Sequence, residues 1–109
     1  MMTNRINKPC NYFIIENDDD TKNKIQGMLD HGSFFCLGDS DTKVRVRKKL
    51  RACSTSLDII ILGLYDETYE IAKYVIANFP KASVILIVKG GETFENEWLG
   101  MERINYIVV

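Results

Sequence analysis

Apolar residues along this chain fall into short dense runs separated by polar stretches with helical periodicity. The run NYFIIE (11–16) predicts a first strand, and DDDTKNKIQGMLDHG predicts the helix after it. There Ile25, Met28 and Leu29 recur at i, i+3 and i+4 and so share one helical face. Asp19 or Asp20 is the expected N-cap and Gly32 the expected stop. FFCLGD (34–39) is the second strand. A helix then begins near Asp41 or Thr42, with Val46, Leu50 and Cys53 as its buried stripe. LDIIILGL (57–64) is apolar on both faces, as a central strand covered twice should be. Asp66 is placed to cap a third helix, which buries Ile71, Ala72, Val75, Ile76 and Phe79 and ends before Pro80. ASVILIV (82–88) is the fourth strand. A Gly90–Gly91 turn follows, then a short fourth helix with Phe94 and Trp98 at i and i+4, and a last strand, INYIVV (104–109).

This alternation of strands and helices predicts an α/β domain over 11–109 behind a tail at 1–10. The expected architecture is a doubly wound, parallel, five-stranded sheet of flavodoxin-like order 2-1-3-4-5. In such sheets ligands bind at the carboxyl ends of the strands, which directs attention to Glu16–Asp19, Gly63–Asp66 and Lys89–Glu92. No GxGxxG follows the first strand, so a dinucleotide fold is unsupported.

Composition adds bounds. The chain has 109 residues, 46% hydrophobic and 27% charged, with a formal net charge of −1. That allows one small globular domain and gives no global field favouring nucleic acid or membrane. Cys10, Cys36 and Cys53 have neither disulfide-framework nor zinc spacing, so reduced thiols and a cytoplasmic location are expected. The start MMTNRINKPC has no apolar run behind its basic residues, so no signal peptide is read.

Three segments together resemble a response-regulator receiver domain, the CheY-like family, over about Tyr12 to Val109. IIENDDDTKNKI resembles the acidic end of the first strand and its helix. SLDIIILGL resembles the strand bearing the phospho-acceptor, and FPKASVILIV the end of the third helix and fourth strand, closest in flavour to the NarL/FixJ type. The resemblance implies a place in two-component signalling, phosphorelay or transcription regulation. It places the acidic pair for Mg²⁺ on Glu16 and Asn17, or on Asn17 and Asp18 after a one-residue shift. The acceptor falls on Gly63, the phosphoryl-steadying Ser/Thr on Lys89 (or Val88), the switch aromatic on Tyr106 and the lysine on Val109. The loop LYDETY is shorter than usual in the family, and the sequence ends in the fifth strand without a fifth helix.

The departures have chemical consequences. Phosphoryl transfer needs a carboxylate to attack, hard oxygens to hold a divalent ion, and cations for the transferred charge. Glycine at 63 cannot attack, Asn17 removes a negative charge from the ion site, and Val109 cannot pair with phosphate. The expectation is therefore a degenerate, phosphorylation-independent receiver, not an enzyme, without catalytic residues or resident Mg²⁺; Glu16 and Asp18 are its weak metal candidates. Lys89 is either a built-in cation reaching Glu16 or Asp18 in place of a metal, or a turn lysine facing water. Tyr106 is either a switch or an ordinary packing residue. Asp18, Asp19 and Asp20 serve a helix N-terminus as readily as a metal. His31 has no partner with which to assemble a nucleophile–base pair.

A sheet flank without its fifth helix would leave large apolar side chains uncovered, each worth about 1.5–3 kcal/mol when buried. A longer chain or a protein partner, with a second copy as the simplest, is the expected cover. Two rival functions remain. One is a small metal-dependent hydrolase using Glu16, Asp18 and Asp66. The other is a nucleic-acid binder using Lys43, Arg45, Arg47, Lys48, Lys49 and Arg51 on the second helix. Such a basic run is also the ordinary solvated face of an amphipathic helix. Regulators of the NarL/FixJ type carry a helix-turn-helix output domain; these residues include none, so no nucleic-acid binding by this chain alone is expected.

Overall fold

Five strands meet in one all-parallel sheet of order β2-β1-β3-β4-β5, the order expected from the sequence. The computed structural model describes residues 10–29, 32–43, 45–53, 56–89 and 104–109. The strands are β1 (Cys10–Ile15), β2 (Phe34–Ser40), β3 (Ile59–Gly63), β4 (Ser83–Val88) and β5 (Ile104–Val108). The helices are α1 (Asp19–Met28), α2 (Val46–Ala52) and α3 (Thr68–Asn78). The Gly90–Gly91 turn, the helix around Phe94 and Trp98, His31 and most of the tail lie outside the described residues.

Period-two alternation splits the strands between two cores. Phe13, Ile15, Ile60, Leu62, Val84 and Leu86 face α2 and α3, meeting Val46, Leu50, Ile71, Ala72 and Val75. Tyr12, Ile14, Ile61 and Ile87 face the other way, toward Ile25 of α1. On that second face Ile85, Ile107 and Val109 are only half-buried. The β1–β2 pairing shifts register between Tyr12 and Phe13. Gly38 then meets the Phe13 ring, which a Cβ would approach to 3.0 Å. Among the described residues no helix is long and apolar enough to cross a membrane.

Three boundaries differ from the sequence reading, each for a local reason. The N-cap of α1 is Asp18, not Asp19 or Asp20. Its carboxylate accepts from the Thr21 backbone N–H at 3.0 Å and from the Thr21 hydroxyl at 2.5 Å, leaving Asp19 and Asp20 in the first turn. Met28, expected on the inner face, is exposed. Helix α2 starts only at Val46, because Thr42 is drawn into a loop by bonds to Asn17 and Glu67. Arg45 turns the chain into the helix at φ 57°, the one non-glycine positive φ among the described residues. Asp66 does not cap α3. Glu67 holds that position without a side-chain capping bond, and the Thr68 hydroxyl satisfies the turn instead.

Candidate functional site

The carboxyl ends of β1, β3 and β4 bring Glu16, Asp18, Gly63 and Lys89 to one end of the sheet. Glu16 follows β1 directly and is 1% exposed. Its Oε2 accepts from the Asp18 backbone N–H at 2.9 Å and from the Tyr65 hydroxyl. Its Oε1 is buried with no hydrogen-bond partner. That oxygen points at Gly63. A Cβ on residue 63 would collide with Oε1 and would stand 2.9 Å from Glu16 Cδ and 2.8 Å from Tyr65 Cε2. The volume that a side chain at the tip of β3 would enter is therefore filled by a glutamate and a tyrosine.

Tyr65 is held where it is by the chain around it. Its backbone N–H donates to the Thr68 hydroxyl at 2.9 Å, and that hydroxyl donates to the Gly63 carbonyl at 2.5 Å. The Thr68 side chain, fully buried at the start of α3, thus closes the turn that follows β3. Lys89, just past β4, extends its ammonium to the Tyr65 hydroxyl oxygen at 3.4 Å and lies 5.6 Å from the ring centroid. Lys89 thus meets Glu16 through the tyrosine hydroxyl, which takes a proton donor on one side and gives its own proton to a carboxylate on the other.

The electrostatics follow from these contacts. Burial, then the hydrogen bond and charge of Glu16, then the charge of Asp18, push the Tyr65 hydroxyl well above the ordinary phenol value. The Thr21 bonds, with a smaller contribution from the Lys89 charge, hold the Asp18 carboxyl below its ordinary value.

Asn17 turns away from this cluster. Its Oδ1 accepts from the Thr42 backbone N–H at 2.7 Å, and its Nδ2 donates to the Thr42 hydroxyl at 3.0 Å. The same hydroxyl donates to Glu67 Oε1 at 2.6 Å. Asn17 and Thr42 together therefore tie the loops after β1, β2 and β3 into a single rim. Among the described residues no group of His, Cys, Asp and Glu is arranged to hold a metal ion.

The remaining expected positions lie on the β5 side. Tyr106 pairs in register with Leu86 and is 58% exposed. Val109 donates its backbone N–H to the Val88 carbonyl at 2.9 Å, and its side chain packs toward the α1-side core. Tyr65 lay within the Gly63–Asp66 stretch without a role of its own, Thr42 was named only as a helix start, and Thr68 was not singled out. The one signal was the short LYDETY loop, which places an aromatic two residues after a glycine and a threonine three residues further on. No family model matches the chain, and neither a curated protein nor a solved structure matches it.

Proposed function

We propose that this chain is a receiver-like module that has lost phosphoryl transfer and acts in signalling or transcriptional regulation by presenting its surface to a protein partner. The observation that carries this reading is the Glu16–Tyr65 contact over Gly63. A pocket built to be phosphorylated has to leave room for an acceptor carboxylate and its phosphoryl group; here that room is taken by side chains. The message then depends on shape. Tyr106 and Val108, 58% and 65% exposed on the edge strand β5, offer an apolar contact surface for it.

The hydrolase alternative fits less well. Glu16 Oε2 is engaged by the Asp18 N–H and the Tyr65 hydroxyl, and Asp18 is engaged by Thr21. Glu16 is also sealed from solvent at 1% exposed, so it is not presented to a metal-bound water.

Sedimentation velocity over a range of concentrations, with and without acetyl phosphate and Mg²⁺, tests the proposal. The expected result is an association state, alone or with a captured protein partner, that is indifferent to the phosphodonor. A shift in association on adding the phosphodonor would overturn it.

A further inference from the structure

We propose that the trough between α2 and α3 binds a small phosphate monoester that carries hydroxyl or amino donors at its other end, a mononucleotide-like ligand. This goes beyond the reading above and stands or falls separately from it.

The trough has two walls of opposite charge. Lys43 and Arg45 in the loop before α2, with Arg47 and Lys48 on the helix, form one wall. Asp66, Glu67 and Glu70 at the start of α3 form the other, over a floor that includes buried Val46 and Ile71. The hollow is about 580 Å³, within the range of small-molecule sites. A second hollow of about 280 Å³ shares Lys43, Asp66 and Glu67 with it and continues to Asn17, Leu64 and Tyr65. The combined trough thus reaches the carboxyl ends of β1 and β3, the switch point where ligands sit in open parallel sheets.

Opposite charges lining one hollow would be expected to pair, and they do not. Among the described residues no ion pair crosses the trough; Glu70 pairs instead with Lys73 on its own helix at 3.0 Å. Arg47 is held back over the Tyr74 ring, 4.9 Å from its centroid. Glu67 is fixed by the Thr42 hydroxyl at 2.6 Å. Arg45 keeps its left-handed backbone at the mouth, the kind of local strain that persists where surrounding structure holds a ligand-facing residue in place. The charges of the two walls are thus not paired with each other.

Cations lining one wall, Lys43, Arg45 and Lys48, suit a dianionic oxyanion, and carboxylates on the other accept hydrogen bonds from vicinal hydroxyls or an amino group. A simple polyanion fits less well, because the acidic wall repels it. A simple cation fits less well because of the basic wall.

The test is an amide-shift titration of the full chain with inorganic phosphate, adenosine and adenosine 5′-monophosphate as probes, together with a short RNA oligonucleotide. Saturable binding of the monophosphate is expected, at least about tenfold tighter than inorganic phosphate, with shifts confined to 42–48 and 64–71. Lys43→Ala with Lys48→Ala, both exposed positions, should abolish it. Asp66→Asn with Glu70→Gln should reduce the monophosphate to the level of inorganic phosphate. Three results would each overturn the proposal: no saturable binding at millimolar probe, equal binding of monophosphate and phosphate, or tighter RNA binding that the acid-wall substitutions strengthen. None of these touches the blocked Gly63 pocket.

Discussion

The Tyr65 hydroxyl donates a hydrogen bond to Oε2 of Glu16, a carboxylate sealed beneath the end of β1. The two residues are 49 apart in sequence and come from neighbouring strand ends. Their contact does two jobs. It satisfies half of a buried carboxylate, and it lays an aromatic ring across the tip of β3. The absence of a side chain at Gly63 is what allows both.

Adding a side chain at residue 63 should therefore be costly. Gly63→Ala would force Glu16 or Tyr65 to move, and Glu16 cannot move without loosening its bonds to Asp18 and Tyr65. A loss of about 1–3 kcal/mol is expected, typical of overpacking, read from urea midpoints. In a Glu16→Ala background the same alanine should cost markedly less, since the colliding oxygen is gone. Equal costs in both backgrounds would contradict the steric account.

Tyr65→Phe keeps the ring and removes the donor. Oε2 of Glu16 then retains only the Asp18 N–H while Oε1 remains without a partner, so about 1.5–3 kcal/mol should be lost. The alkaline limb should change too. The Tyr65 hydroxyl titrates higher in the folded protein than in the unfolded chain. Its contribution is complete below the ordinary phenol value, about pH 10, and is lost as pH rises from there through the folded value. Wild type should show one tyrosine silent in the near-ultraviolet alkaline titration until unfolding, and Tyr65→Phe should lack that late step.

Asp18 governs the opposite limb. Its folded carboxyl titrates below the ordinary value because of the Thr21 bonds. The stabilisation is full above the unfolded value, about pH 4, and is lost as pH falls through the lower folded value. Asp18→Ala should weaken the protein at pH 7 and flatten the fall in melting temperature between neutral and strongly acid solution. An unchanged acid profile would show that Asp18 does not cap α1 in solution.

Restoring an acidic pair should not restore a metal site. Asn17→Asp removes the Nδ2 donor, and the Thr42 hydroxyl already gives its single proton to Glu67. The new carboxylate would face an oxygen lone pair beside a second carboxylate. Asn17→Asp should be destabilised, with faster amide exchange over 41–45, and should gain no saturable Mg²⁺ binding by calorimetry.

Strand order was legible because each strand is a short, mostly apolar run and the helices α1, α2 and α3 repeat apolar residues at helical spacing. The stripes Val46/Leu50 and Ile71/Ala72/Val75 fell where the periodicity put them. The α1 cap was not legible: Asp18, Asp19 and Asp20 are chemically equal, and only the reach of Asp18 to Thr21 distinguishes it. The start of α2 was misplaced because local pattern does not encode the Asn17–Thr42 bonds, which span 25 residues. The site positions Glu16, Asp18, Gly63 and Lys89 could be read because strand ends converge in this topology. Tyr65 could not, because its role depends on a partner at the end of another strand.

The central claim concerns Gly63, and intact-mass spectrometry after incubation with acetyl phosphate and Mg²⁺ tests it most directly. The account predicts an unmodified wild-type chain, because residue 63 has no side chain to accept a phosphoryl group and Glu16 and Tyr65 fill the space beside it. A stoichiometric, acid-stable-to-analysis phosphoryl adduct on the wild-type chain would contradict it.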